Sequence, residues 1–416
     1  MYNRGRIMRA VLMGVFSVVL LGGLVTQEAA ASWETIGPPG GAIRALADNP
    51  HQTSELFAVT ASQLAQVYKS SDSAKSWRCV AGFSGPLYDI DVDSGNSMVV
   101  YALGASSIQK SEDGGLTWRT IPLPSGFSGY EGKLVVPPGR AGTVYAAGRK
   151  SHLAVAKSVD YGETWDLCCS GISTNSGYAV CAAVNPKNAE HLYIGGYSNA
   201  SYLVYRTANG GQSWTGAALS SAAILTDIVI DPFDSSKALL ATRNGVYRTT
   251  DGGASWNLFN TISLYKLCAD PTNAGTFYAG YDKACYKSTD GGASWSPGYN
   301  PILGFCSNLE LQAGQLYFGS NFGVFSSPVT AWNWQPCCSG IYAREIIKVA
   351  VSPVRPNILF VVDKDGCLFK STDFGDSWMA TTDMFQGHLL SALTMSPGYI
   401  PYAYASCLTL IRCPVG

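Results

Sequence analysis

Two carboxylates about 5–10 Å apart can carry glycoside hydrolysis, and the chain offers Asp89, Asp91, Asp227 and Glu310 in strand-like surroundings. Zinc chemistry needs closely spaced Cys or His. The four His (His51, His152, His191, His388) are scattered and no CxxC pair occurs, so no metal centre is expected. Two vicinal cysteine pairs, Cys168–Cys169 and Cys337–Cys338, lie in matched segments, WDLCCSGI and WQPCCSGI. They suit either thiol–disulfide exchange or staples between neighbouring strands. The stretch STDGGASW, residues 288–295, places Asp290 among glycines and hydroxyls. A calcium loop needs several carboxylates at alternate positions, and this stretch has one. No Ser/His/Asp or Cys/His constellation is legible.

The elements that position these residues follow from repetition. STDGGASW recurs as SSDSAKSW, SEDGGLTW, SVDYGETW, TANGGQSW, TTDGGASW and STDFGDSW. The acidic position is held by Asp72, Asp113, Asp160, Asn209, Asp251, Asp290 and Asp373. The terminal aromatic is Trp77, Trp118, Trp165, Trp214, Trp256, Trp295 and Trp378. A degraded copy, VFSSPVTAWNW, ends at Trp334. The period of roughly 40–50 residues is that of propeller blades. Each period contains a run ending at proline (LTDIVIDP), a second apolar run (KALLATRNG), a third that enters the box (VYRTTDGGASW), and a fourth after the Trp. Four short antiparallel strands make one blade.

Nine such units fit residues 32–416. The reading is therefore all-β, a single β-propeller of four-stranded antiparallel blades, with eight blades as the fallback. The last unit, from near His388, lacks its own Trp, and the segment around Trp33 is expected to supply its fourth strand. That closure leaves no exposed edge.

The box Ser/Thr-x-Asp-x-Gly-x-Ser/Thr-Trp resembles the Asp-box, or BNR repeat. The resemblance covers nearly all of residues 32–416. Asp side chains hold such turns by accepting backbone N–H groups, Gly tolerates positive φ, and the Trp buries a large ring between blades. A structural role is thus expected for every box Asp and Trp. Asp-box propellers include sialidases and other glycoside hydrolases, and GGAIRALADNP (40–50) is similar to the start of xyloglucanase-like propellers. The repeats also resemble those of the photosystem II assembly factor and sortilin-type receptors, which bind polypeptides.

Activity is then expected away from the boxes, at the channel. Aligning the first strands on their terminal Pro selects Ala45, Asp89, Gly132, Cys181, Asp227, Lys266, Asn308, Lys348 and Ala392. Of these, Asp89, Asp227, Lys266, Asn308 and Lys348 are the candidate ligand-binding residues. No catalytic residue is singled out and no cofactor is called for.

Residues 1–31 read as a signal peptide: Arg4, Arg6 and Arg9, an apolar run from Val11 to Val25, then Ala29–Ala31. The expected location is periplasmic, cell-surface or extracellular, with no stable membrane span after cleavage. The net charge is −1, and loss of residues 1–31 removes three Arg and one Glu to leave −3. No basic run favours nucleic acid. The 12 Cys in an exported chain favour disulfides. The expected function is a binding or scaffolding module for a protein or polysaccharide ligand, with a glycoside hydrolase of sialidase-like or xyloglucanase-like type, using a carboxylate pair at the rim, as the alternative.

Overall fold

A computed structural model describes residues 40–173, 177–198, 201–219, 224–282, 284–299 and 304–337, then 339, 346–352, 355, 357–363, 368–380, 392–395, 402–406 and 410–414. The signal segment, Trp33, Cys338 and Cys367 lie outside them. The described residues are all-β: eight four-stranded antiparallel sheets and one of three strands, consecutive in sequence. The nine sheets answer to the nine sequence units.

They divide into two compact units. One holds residues 40–343 and the other the sheets after Arg344. In the larger unit the innermost strands of the seven sheets are Ile43–Asp48, Leu87–Val92, Ser128–Val135, Gly177–Asn185, Leu225–Ile230, Lys266–Ala269 and Cys306–Gln312. Each packs on the next, and the seventh packs on the first. Ring closure therefore differs from the single nine-unit ring expected from sequence: it comes after the seventh sheet, within residues 40–343. The smaller unit carries a four-stranded sheet from Ile346 to Ala380 and a three-stranded sheet of Ala392–Met395, Tyr402–Ser406 and Leu410–Pro414.

The physical reason is a side-by-side match of apolar faces. Each junction between neighbouring sheets buries its own cluster. Ile43, Leu46, Tyr68 and Trp77 of the first sheet pack with Tyr317 and Val324 of the seventh. Equivalent clusters fill the other junctions, such as Tyr145, Val155, Ile194 and Trp214 between sheets three and four. Middle strands such as Leu56–Thr60 and Ala238–Thr242 are buried throughout, as blades covered on both faces require.

The boxes form the turns between third and fourth strands. Asp290 Oδ1 accepts from Ser288 Oγ at 2.8 Å and from the Ser294 N–H at 2.9 Å, and Oδ2 accepts from Ser294 Oγ at 2.5 Å. These bonds hold the Asp290 carboxyl down at about pKa 2. Asn209 keeps the pattern: Oδ1 accepts the Ser213 N–H at 3.0 Å and Nδ2 donates to Ser213 Oγ at 2.9 Å. Gly292 has φ of 87°, and a Cβ there would lie 2.8 Å from Leu239 Cδ1. In the first box Ala74 occupies this position at φ of 65°.

Basic side chains on third strands reach the next box. Lys69 Nζ, Lys157 Nζ and Arg206 Nη1 donate to the carbonyls of Gly114, Gly210 and Gly252 at 2.8, 2.9 and 2.8 Å. The two CCSG segments also grip across junctions. Trp214 Nε1 donates to the Cys168 carbonyl at 2.8 Å and the Trp214 N–H to the Ser170 carbonyl at 2.8 Å. Trp77 does the same to Cys337 at 2.7 Å and Ser339 at 2.8 Å. Cys168 and Cys169 are thiols rather than a bridge. Burial raises both, Cys168 to about 12, so they remain protonated and poor nucleophiles at neutral pH. For this pair the staple expected from sequence is made by backbone carbonyls.

Candidate functional site: the channel and its tyrosine mouth

Each inner strand has one corresponding position, paired with a residue in the second half of the neighbouring strand. Register places Ala45, Asp89, Lys133, Cys181, Asp227, Lys266 and Asn308 there, facing Val59, Leu103, Ala147, Gly195, Ala241, Gly280 and Gly319. The sequence alignment selects Gly132 in the third sheet because it stops at Pro137; counting from Pro138 gives Lys133. Lys348 holds the corresponding place in the smaller unit, opposite Val362. Four of the five candidates, all but Lys348, therefore lie in the ring, with Lys133 added.

Their side chains hold one inner strand to the next. Asp89 Oδ2 accepts the Leu134 N–H at 2.9 Å, and Asp227 Oδ2 accepts the Leu267 N–H at 3.0 Å. Asn308 Nδ2 donates to the Leu46 carbonyl at 2.8 Å, across the seam between sheets seven and one. Lys133 Nζ lies 3.4 Å from Asp89 Oδ1. Lys266 follows Asp227 on the next sheet. Burial, the largest single influence, opposes its charge, but the neighbouring charges together, Asp227 first among them, outweigh it and hold the ammonium pKa above its ordinary value. The acid-then-lysine order thus occurs twice around the ring.

The next layer toward the boxes holds Asp91 opposite Tyr101 and Glu310 opposite Tyr317, with Asp48 nearby. These three belong to sheets two, seven and one, whereas sheets three and four carry Val135 and Ala183 at the equivalent place. Asp91 and Glu310 are only partly accessible to solvent. Burial, then the charge of Asp89, pushes Asp91 up to about 8. Burial, then Asp48 and Asp91, raises Glu310 well above the carboxylate range. Loss of hydration disfavours the charged forms. Among the described residues no group of three or more His, Cys, Asp or Glu is arranged to hold a metal.

At the end opposite the boxes five of the seven inner strands carry a one-residue bulge near their start. Register shifts fall between Ile43 and Ala45, Leu87 and Asp89, Ala179 and Cys181, Leu225 and Asp227, and Cys306 and Asn308. A bulge re-aims a side chain, and the extra residues here include Arg44, Tyr88 and Ser307. Aromatic rings gather at this mouth. The Arg44 guanidinium lies 5.3 Å from the Tyr88 ring centre, Tyr88 lies 5.2 Å from Tyr130, and the Arg149 guanidinium lies 5.5 Å from Tyr130. Tyr178, Tyr197 and Tyr202 continue the series at 6.0 and 5.1 Å on sheet four. Tyr265 contacts Tyr281 at 4.8 Å and Phe305 at 6.3 Å on sheets six and seven. Tyr130 is 46% and Phe305 55% exposed. Sequence reasoning passes over these residues because they sit at strand starts and hairpin ends, which share no motif.

No protein-family model and no curated protein matches the chain; solved structures do. A GH74 enzyme of Niastella koreensis is similar with a TM-score of 0.64 at 15% identity, covering 90% of this chain and 73% of its own. An ancestral GH74 enzyme gives 0.68 at 17% identity, over 92% of this chain, which spans only 60% of that enzyme. YCF48 from Cyanidioschyzon merolae gives 0.53 at 13% identity, over 71% and 97%. Likeness at this identity concerns the fold, and the shared fold is the β-propeller.

Proposed function

We propose that the chain is an exported binding module whose mouth, opposite the boxes, receives a protein or a glycan chain. The observation that carries this is the ladder Arg44–Tyr88–Tyr130–Arg149, with two exposed aromatics, on a protein whose box end is spent on turns. Tyr and Arg are the residues that dominate binding hot spots, and here stacking orders their side chains before a partner arrives. Preorganisation of that kind reduces the cost of association. The test is titration of Tyr130→Ala against a panel of immobilised random peptides and soluble polysaccharides. The expected result is at least about a tenfold loss of affinity with an unchanged melting temperature. Unaltered binding on every probe would sink the reading.

One observation favours hydrolysis as a second reading. Asp91 stays protonated to about pH 8 two residues from Asp89 on the same strand face, and a carboxylic acid kept neutral can protonate a leaving group. Asp89, however, is already bonded to the Leu134 N–H and Lys133. Turnover of any polysaccharide on the panel, abolished by Asp91→Asn, would favour this reading over simple binding.

A further inference from the structure

The third sheet departs from the others at the mouth. Where five inner strands carry one extra residue, here four, Gly129–Gly132, stand opposite Gly148 alone. The excursion is held at both ends. The Gly129 N–H donates to the Ala105 carbonyl at 2.8 Å. A Cβ on Gly129 would lie 2.5 Å from the Gly104 carbonyl oxygen, and one on Gly132 would lie 2.3 Å from that of Ala147. Between these glycines Glu131 has φ of 55°, a conformation that residues with a side chain rarely adopt. Strain of this kind persists where the surroundings over-determine it, and it gathers at ligand-binding sites. The excursion carries Tyr130 outward to 46% exposure, with the exposed Arg149 over its ring.

Charge at this end is lopsided. The described strand starts and hairpins of the mouth carry Arg44, Arg149, Lys150 and Arg243 against Glu131 and Asp282. Four cations and two acids leave +2 there, on a chain of net charge −1. Among the described residues none of these four cations has an ion-pair partner, whereas Lys69, Arg119, Lys133 and Arg140 at the junctions each have a carboxylate. We infer that the mouth takes an acidic polypeptide segment, whose carboxylates meet Arg44, Arg149 and Lys150. This names the partner for the binding surface proposed above and rests on it. A guanidinium lying over an aromatic face keeps its N–H edge free, and that edge matches a carboxylate. Both guanidiniums cover a face of the tyrosine beside them, and the two ring planes cross at 58°. A sugar ring stacks flat on an uncovered aromatic face, so the arrangement favours Asp and Glu side chains over an acidic polysaccharide. Glu131 opposes the same partner, because like charges repel.

The test titrates the full mature chain with labelled oligo-glutamate, a neutral Ser/Gly peptide of equal length, and polygalacturonate. Oligo-glutamate is expected to bind best at low salt and to weaken as ionic strength rises, because exposed charges are screened. Arg149→Gln should weaken it and Glu131→Gln should tighten it, each by about 2- to 5-fold, the range for exposed charge pairs. A misfolded variant cannot produce the second result. A neutral peptide bound as tightly as oligo-glutamate, with Tyr130→Ala weakening both, overturns the acidic partner and leaves the mouth reading standing. Oligo-glutamate binding that Arg149→Gln, Glu131→Gln and Tyr130→Ala all leave unaltered overturns both. No binding of oligo-glutamate at low salt, with or without capture of polygalacturonate, overturns the polypeptide partner.

Discussion

The junction between sheets three and four and the seam between sheets seven and one carry the same CCSG clasp, yet they are fastened differently inside. At the ordinary junction Lys157 Nζ and Tyr145 Oη both donate to the Gly210 carbonyl at 2.9 Å. At the seam Ser326 stands where the lysine would be, and Tyr317 Oη reaches the Ser73 carbonyl only at 3.5 Å. The seam instead has Asn308 on the Leu46 carbonyl, and Gln312 on Asp48 and the Asn49 carbonyl at 3.3 Å. A closing junction has thus shifted its polar fastening from the box end to the inner strand. The lesson is that the number of blades is set by which inner strands accept each other, and not by how many boxes the chain carries.

The largest effect should come from removing the clasped rings. Trp77→Ala and Trp214→Ala should each cost about 3–5 kcal/mol, the range for emptying a buried aromatic site, measured by urea unfolding of each variant. If the seam is the weaker junction, Trp77→Ala will also lower the cooperativity of the transition, whereas Trp214→Ala will not. Equal loss of cooperativity would erase the distinction drawn here.

Next comes Asn308→Ala. It leaves the buried Leu46 carbonyl without its partner and should cost about 1–3 kcal/mol. A cost below about 0.5 kcal/mol would mean that the inner fastening does not hold the seam.

The last effect depends on pH. The raised acids Asp48, Asp91 and Glu310 all lie on sheets one, two and seven. A carboxyl whose pKa is raised by folding favours the folded state below its ordinary pKa near 4. That advantage is lost as pH rises toward the folded value, here about 8 for Asp91. Asp91→Asn should therefore match the parent near pH 4 and exceed it by a margin that grows with each step in pH up to about 8, measured by urea unfolding at each pH. A parallel offset at every pH would show that the effect is packing rather than titration.

The blade plan is legible because the box is a local device. Ser288, Asp290, Gly292 and Ser294 satisfy one another within seven residues, so the pattern recurs wherever the turn recurs. Closure is not legible, because its partners are main-chain carbonyls of Cys337 and Leu46, which any residue supplies. The degraded box ending at Trp334 also hides that its sheet is the one that meets the first. Of the ring positions, Lys133 is missed by one residue because two prolines end its strand. The mouth is missed because Tyr88 reaches Tyr130, and Tyr265 reaches Phe305, from different sheets with no common spacing.

The basic arms of the third strands have a direction: Lys69, Lys157 and Arg206 each reach forward to the box of the following sheet. A ribosome delivers those sheets in the same order. These three blades thus each offer an arm whose acceptor has yet to emerge, an order that suits assembly from the N terminus onward. The first blade is the exception. Trp77 waits for Cys337 and Ser339, so the oldest part of the nascent chain is the last to be covered. A chaperone that guards this protein during synthesis would have to guard its first blade until the seventh is complete.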